Sequence, residues 1–208
     1  MKPFLNFLRR IPFTLIMLTG LALGGLVTNT YFQAITHHWL NRTGFATRDL
    51  WYLRLGRMFS SALVTNGGRV FWEAILLVAI FVGAVEWISS WKRAAATFWG
   101  VHLLTLVLLA LIITLSLHQL HTLGIEASEV ARDVGPSAGY FACLGFLSAR
   151  LRHPWNWFSG GVLFVFFIVA LLLPATTRVN PRQEVSANLA HLLAFPLGWL
   201  SSGLGNKQ

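Results

Sequence analysis

The chain has 208 residues, of which 55% are hydrophobic and only 11% charged, against roughly 25% charged in an ordinary soluble domain. Its net charge of +9 does not point to nucleic acid, because the basic residues sit beside hydrophobic stretches, where such residues anchor to headgroups and set orientation. No charged residue lies between Thr14 and Arg42 or between Ala94 and Glu126, and a chain this short has too little polar surface to bury such windows in a soluble core. The composition therefore predicts an all-α, polytopic integral membrane protein whose spans meet the roughly 17–25 apolar residues that a bilayer core demands. The lipid bilayer is its expected surrounding and nucleic acid is not an expected partner. Trp51, Trp87, Trp91, Trp155 and Trp157 flank spans, where indole rings favour the membrane interface. The single cysteine, Cys143, excludes an internal disulfide and a cysteine-rich metal site.

In chain order, residues 1–10 form a basic segment expected in the cytoplasm. It precedes a first span over 11–32. The pair resembles a signal peptide, but the apolar stretch runs on through Leu26 without a small-x-small cleavage site, so a retained signal anchor is expected. Residues 33–69 carry five arginines and one acid, Asp49. They predict an ordered loop resting in the membrane interface, with short amphipathic helices. Arg69 and Glu73, four apart, fit an ion pair. Further spans are expected over 70–87, 94–117, 134–151, 157–174 and 187–204, making a membrane domain of 11–204 with a short tail at 205–208. The fourth and sixth are rich in Gly, Ala and Ser, a composition that suits helices surrounded by protein. His118 and His121, followed by Glu126 and Glu129, read as interfacial residues rather than metal ligands, and the adjacent His37 and His38 do not share a helix face. With the N-terminus inside, eight Lys or Arg fall on each side. The compact pairs Arg9-Arg10 and Lys92-Arg93 favour both termini in the cytoplasm.

Polar groups interrupt the apolar pattern at two places: Asp133-Val-Gly-Pro-Ser-Ala-Gly139, opening the fourth span, and Ala187-Asn-Leu-Ala-His191, opening the sixth. Pro136 is tolerated in a first helical turn, which puts Ser137 beside unpaired backbone N–H groups and the positive end of the helix dipole, where an oxyanion can be held. A serine there is also a common helix cap. On the sixth helix Ala187, Ala190, Ala194, Gly198 and Ser201 define a small-residue face bordered by His191. The fourth helix has a matching face in Gly135, Ala138, Gly139, Ala142 and Gly145. Packing these faces brings His191 toward Ser137, although a buried membrane histidine is equally read as a structural or proton-relay residue. Together the two suit nucleophilic catalysis, since a serine hydroxyl needs a neutral imidazole to take its proton. Both are expected within the first two turns of their spans.

These motifs resemble the rhomboid family of intramembrane proteases over about Arg57 to Leu204. That family has Gly-x-Ser-Gly opening its fourth span and Ala-His-x-x-Gly-x-x-x-Gly in its sixth. Here they read Gly135-Pro-Ser137-Ala138 and Ala190-His191-Leu-Leu-Ala194-Phe-Pro-Leu-Gly198. Arg57 and Glu86 match the family's first-loop arginine and the Gly-x-x-x-Glu ending its second span. The resemblance implies a six-helix rhomboid-like bundle, with Ser137 as nucleophile and His191 as general base. Gly135 and Ala138 would support the oxyanion, and Phe141 would pack under the imidazole. Asn188 would be a polar neighbour of the histidine, Arg57 would hold the first loop, and Glu86 would cap the inner end of the second helix. The substrates it implies are transmembrane segments of other membrane proteins. No metal or organic cofactor is expected, and a bacterial cytoplasmic membrane is the expected location. Two departures bear on activity. The family's His and Asn on the second helix, which help bind the oxyanion, are replaced by Val70 and Ala74, and Ala138 and Ala194 stand where glycines are usual. A rhomboid-like pseudoprotease that binds transmembrane segments without cutting them is the alternative. Asn66 and Arg69 are nearby groups able to replace part of the lost stabilisation. A small transporter is disfavoured by the lack of matched repeats.

Overall fold

The computed structural model describes residues 8–122, 129–173 and 181–205. Glu126, most of the basic leader, the last three residues, and the side chains of His118, His121 and Leu204 lie outside the described residues. So does residue 174, the expected end of the fifth span. Among the described residues the fold is all-helical, with isolated β-bridges at Ala34–Gly67 and Phe45–Asp133. The elements are α1 (Pro12–Thr28), the short loop helices α2 (His37–Thr43), α3 (Arg48–Trp51) and α4 (Gly56–Ser60), then α5 (Arg69–Ile88), α6 (Trp91–Ser116), α7 (Ser137–Ala149), α8 (Trp155–Leu172) and α9 (Pro181–Ser201). The helix of α6 kinks at Ser116 (φ −120°, ψ 15°) before running on to Thr122.

Each expected span contains a helix, the first ending at Thr28 rather than at 32. Three of them, α5, α6 and α8, are long and apolar enough to cross a membrane, while α1 and α7 are shorter apolar helices. At 1.5 Å per residue, α7 reaches only about 20 Å. Its surroundings explain how so short a helix is stable. Eight of its residues are buried, among them Tyr140, Cys143 and Phe146, which pack with Phe13, Met17 and Leu21 of α1, Val78, Val82 and Val85 of α5, and Phe98 of α6. The widened turns Val78–Val82 in α5 and Ala96–Gly100 in α6 contribute Val78, Val82 and Phe98 to that core. In contrast, only 6% of the apolar window of α8 is buried, leaving Phe158, Val162, Val165, Phe166 and Leu172 on the outside. A face this apolar has no stable exposure to water and calls for a membrane or another apolar partner.

Two expectations are corrected. The last helix already includes Pro181, six residues before 187, in a stretch too polar for a hydropathy window to include. Consequently His191 lies mid-helix rather than in its first two turns. Glu86, at the end of α5, caps a different helix from the one expected. Its carboxylate accepts Phe13 N–H and Thr14 N–H at 2.8 Å and the Thr14 hydroxyl at 2.7 Å, satisfying the unpaired donors that open α1.

Candidate active site

Ser137 is placed by its own short motif. Gly135 holds φ +145°, a backbone region that glycine alone enters at little cost, and its N–H donates to Ser61 O at 2.8 Å. Pro136 is the N-cap, so Ser137 is the first residue of α7, and no side-chain bond caps the helix. The common capping role is therefore not what occupies this hydroxyl. Tyr140 N–H donates to Pro136 O, which leaves the amides of Ser137, Ala138 and Gly139 without intrahelical acceptors. Ser137 lines a cavity of about 30 Å³ together with His102 and Leu106 of α6, Ser186 and Ala190 of α9, and Asp133 and Gly135 of its own loop.

The expected contact of small faces exists. A Cβ on Gly198 would stand 2.0 Å from Ala142 O, and one on Gly145 would stand 2.1 Å from Phe195 O, so α7 and α9 approach to a distance that only glycine tolerates at those points. Ala138, Ala142 and Ala194 are buried in the same seam with Val101. Gly139 turns instead to α6, where an added Cβ would meet the Phe98 ring at 2.4 Å. Pairing of 141 with 191 and of 145 with 195 shows that α7 and α9 run in the same direction. Phe141 and His191 meet edge to face with ring centroids 4.6 Å apart, and Phe167 of α8 lies 6.2 Å from the same imidazole. The expected aromatic partner of the histidine is therefore in place. Among the described residues no hydrogen bond joins the Ser137 hydroxyl to His191. Asn188 donates its side-chain N–H to Ala170 O of α8 at 3.0 Å and does not line the cavity.

The first loop is strapped to the segment ahead of α7. Asp49 is fully buried and receives Arg57 on both oxygens at 3.0 and 3.1 Å, with Arg132 paired to the same carboxylate. Arg132 also donates to Gly44 O at 2.9 Å, while Phe45 and Asp133 exchange backbone hydrogen bonds. Burial by itself would raise the Asp49 carboxyl, but the hydrogen bonds from Arg132, Ala46 N–H and Arg57 outweigh it and hold the group below the usual range. Arg57 thus holds the first loop as expected, with Asp49 as the hub. A signal for this was available in the sequence, where Asp49 is the one acid among five arginines. Gln183 donates to Asn66 at 2.9 Å and, at 3.3 Å, to Asp133, which lines the cavity. Burial pushes the Asp133 carboxyl up to about 6, against the bonds from Gln183, Val134 N–H and Asn66. Val70 is exposed and Ala74 buried, so neither gives a donor. Arg69 pairs with Glu73 at 2.5 Å on the exposed side of α5, away from any role at the cavity. Sequence reading passed over His102, which is 2% exposed and whose Nε2 lies 3.1 Å from Met58 O.

No group of three or more candidate metal ligands occurs among the described residues. Comparison with models of known families, with characterised proteins and with solved structures finds no match to this chain.

Proposed function

We propose that the chain is a multi-pass membrane protein with six spans, and that it is an intramembrane serine protease of the rhomboid type, with Ser137 as nucleophile and His191 as general base. The observation that carries this reading is the glycine-tight, same-direction packing of α7 against α9. It sets a serine free of capping duty beside a cavity that His102 and Asp133 also line, and an imidazole against the aromatic ring one turn further on. In the reaction, His191 takes the Ser137 proton as Oγ attacks the peptide carbonyl, then returns it to the leaving amine. The unpaired amides opening α7 stabilise the oxyanion. Since Val70 and Ala74 donate nothing, the rate is expected to lie about 10²–10³ below that of a site with an added donor.

Arg10 stacks on Trp87 at 5.0 Å, and Arg93 and Arg150 both lie over the Phe146 ring at 5.7 and 5.2 Å. These contacts gather basic residues at the end of the bundle opposite Ser137. Such clustering favours that end in the cytoplasm, with the cavity toward the outer surface of a bacterial cytoplasmic membrane. The substrate class is a transmembrane segment of another membrane protein, cut where small or helix-breaking residues let it leave its helix near that surface.

A second reading, a pseudoprotease that binds such segments, is favoured by Val70, Ala74 and the absence of a Ser137–His191 hydrogen bond among the described residues. Reconstitution of the full chain in vesicles with a single-span reporter carrying a Gly-Pro pair near its outer boundary separates the two. Cleavage abolished by Ser137→Ala identifies the protease. Stable co-purification of an uncut reporter, unchanged by that substitution, identifies the binder.

A further inference from the structure

Two buried polar atoms lie one turn apart on α6 without a hydrogen-bond partner among the described residues: His102 Nδ1 and Thr105 Oγ1. Positions 102, 105, 106 and 109 share one helix face, and His102, Leu106 and Leu109 of that face line the cavity that Ser137 lines. The partner of His102 Nε2 is a carbonyl, Met58 O, which only accepts. Nε2 must therefore carry the ring proton, and Nδ1 is a lone-pair acceptor. Buried acceptors are rarely left unmatched, and water is their usual partner where a cavity offers it further polar groups, here Ser61, Asp133, Ser137 and Ser186. The cavity of about 30 Å³ has room for about two waters, at roughly 10–15 Å³ of free space each.

We propose that His102 is the proton acceptor for the hydrolytic water at Ser137. The proposal rests on the protease reading and assigns the second half of its reaction to a different imidazole from the first. In acyl transfer to water, the water oxygen bonds to the acyl carbon while its proton passes to His102 Nδ1. The ester bond from that carbon to Ser137 Oγ then breaks, and the proton goes on to Oγ, restoring the hydroxyl and a neutral ring. The carbonyl of Met58 fixes the ring tautomer and orientation throughout, the task that a carboxylate performs in other hydrolases.

The test uses the full chain in detergent. His102→Gln retains an N–H for Met58 O, and Thr105→Val, one turn along α6 and outside the cavity lining, is the control that removes a buried hydroxyl while preserving shape. For each variant, the rate of fluorophosphonate labelling at Ser137 is compared with reporter turnover, and intact mass is followed for the acyl-enzyme. The expected result is labelling within about threefold of wild type, turnover down at least tenfold in His102→Gln, and an acyl-enzyme that accumulates. Unchanged turnover, or labelling that falls in step with turnover in a folded variant, overturns the proposal. Should wild-type protein take no label at all, the protease reading fails, and ¹⁵N-histidine spectra decide the remainder. An Nε2–H tautomer with Nδ1 in contact with water preserves the water site alone and overturns the catalytic assignment. A protonated Nδ1 or a dry ring overturns both. The spectra need no variant, so the decision stands even where His102→Gln does not fold.

Discussion

The two buried ends of the loop system treat their polar groups in opposite ways. Around Asp49 the buried charge is matched: Arg57 and Arg132 converge on one carboxylate, and Arg132 donates a further N–H to Gly44 O. Around Ser137 the matching is incomplete. The Ser137 hydroxyl does no capping, His102 Nδ1 has no hydrogen-bond partner among the described residues, and burial outweighs the hydrogen bonds to Asp133 and raises its carboxyl. Satisfied networks fix a fold, whereas unsatisfied groups cost stability and cluster where chemistry is done. The first loop therefore serves as a rigid strap, and the cavity beneath it holds the functional candidates.

The largest effect is expected where the frame of the cavity is tightest. Gly198→Val puts side-chain atoms into Ala142 O, and no folded protein should be recovered by size exclusion in detergent. Gly161→Ala on α8 meets nothing within 4 Å and should leave the melting temperature unchanged or slightly higher. Next comes the strap. Asp49→Asn leaves two guanidinium groups around a neutral amide, and loss of one partner of a buried pair costs about 3–5 kcal/mol, to be read by thermal or denaturant unfolding.

A smaller effect separates the two carboxylates by pH. The folded pKa of Asp49 is depressed, so its contribution to stability is present above the ordinary value of 3.8 and is lost as pH falls through the depressed value. The folded pKa of Asp133 is raised to about 6, so the sign is reversed. Its carboxyl stays protonated in the native state while the unfolded chain ionises, and stability falls as pH rises from 3.8 to about 6. Asp133→Asn should therefore remove a downward slope of melting temperature between pH 4 and 6 and leave the acid limb below it intact. A slope that survives the substitution would assign the titration to another group.

The comparison also explains what could be read in advance. The small-residue faces of α7 and α9 were legible because close packing restricts residue size, and the packed seam bears them out at Gly145 and Gly198. Arg69 and Glu73 were legible because helix geometry alone brings them together. The reach of α9 back to Pro181 was not, since that stretch is polar and a hydropathy window discards it. Glu86 was recognised as a cap, but its target depends on how α1 and α5 dock, and local sequence does not encode that. Asn188 turns to Ala170 rather than to the cavity for the same reason. His102 had a signal that was not used, as an ionisable residue inside an apolar window is by default a candidate for function.

Covalent labelling of Ser137 tests the central claim most directly. With the full chain in detergent, a fluorophosphonate should give a single adduct on the peptide containing Ser137. The adduct should be absent in Ser137→Ala, and His191→Asn should slow its formation by about 10²–10⁴, the usual contribution of a general base. A wild-type protein that is folded yet unlabelled, or labelling at an equal rate in His191→Asn, would contradict a serine activated by that histidine.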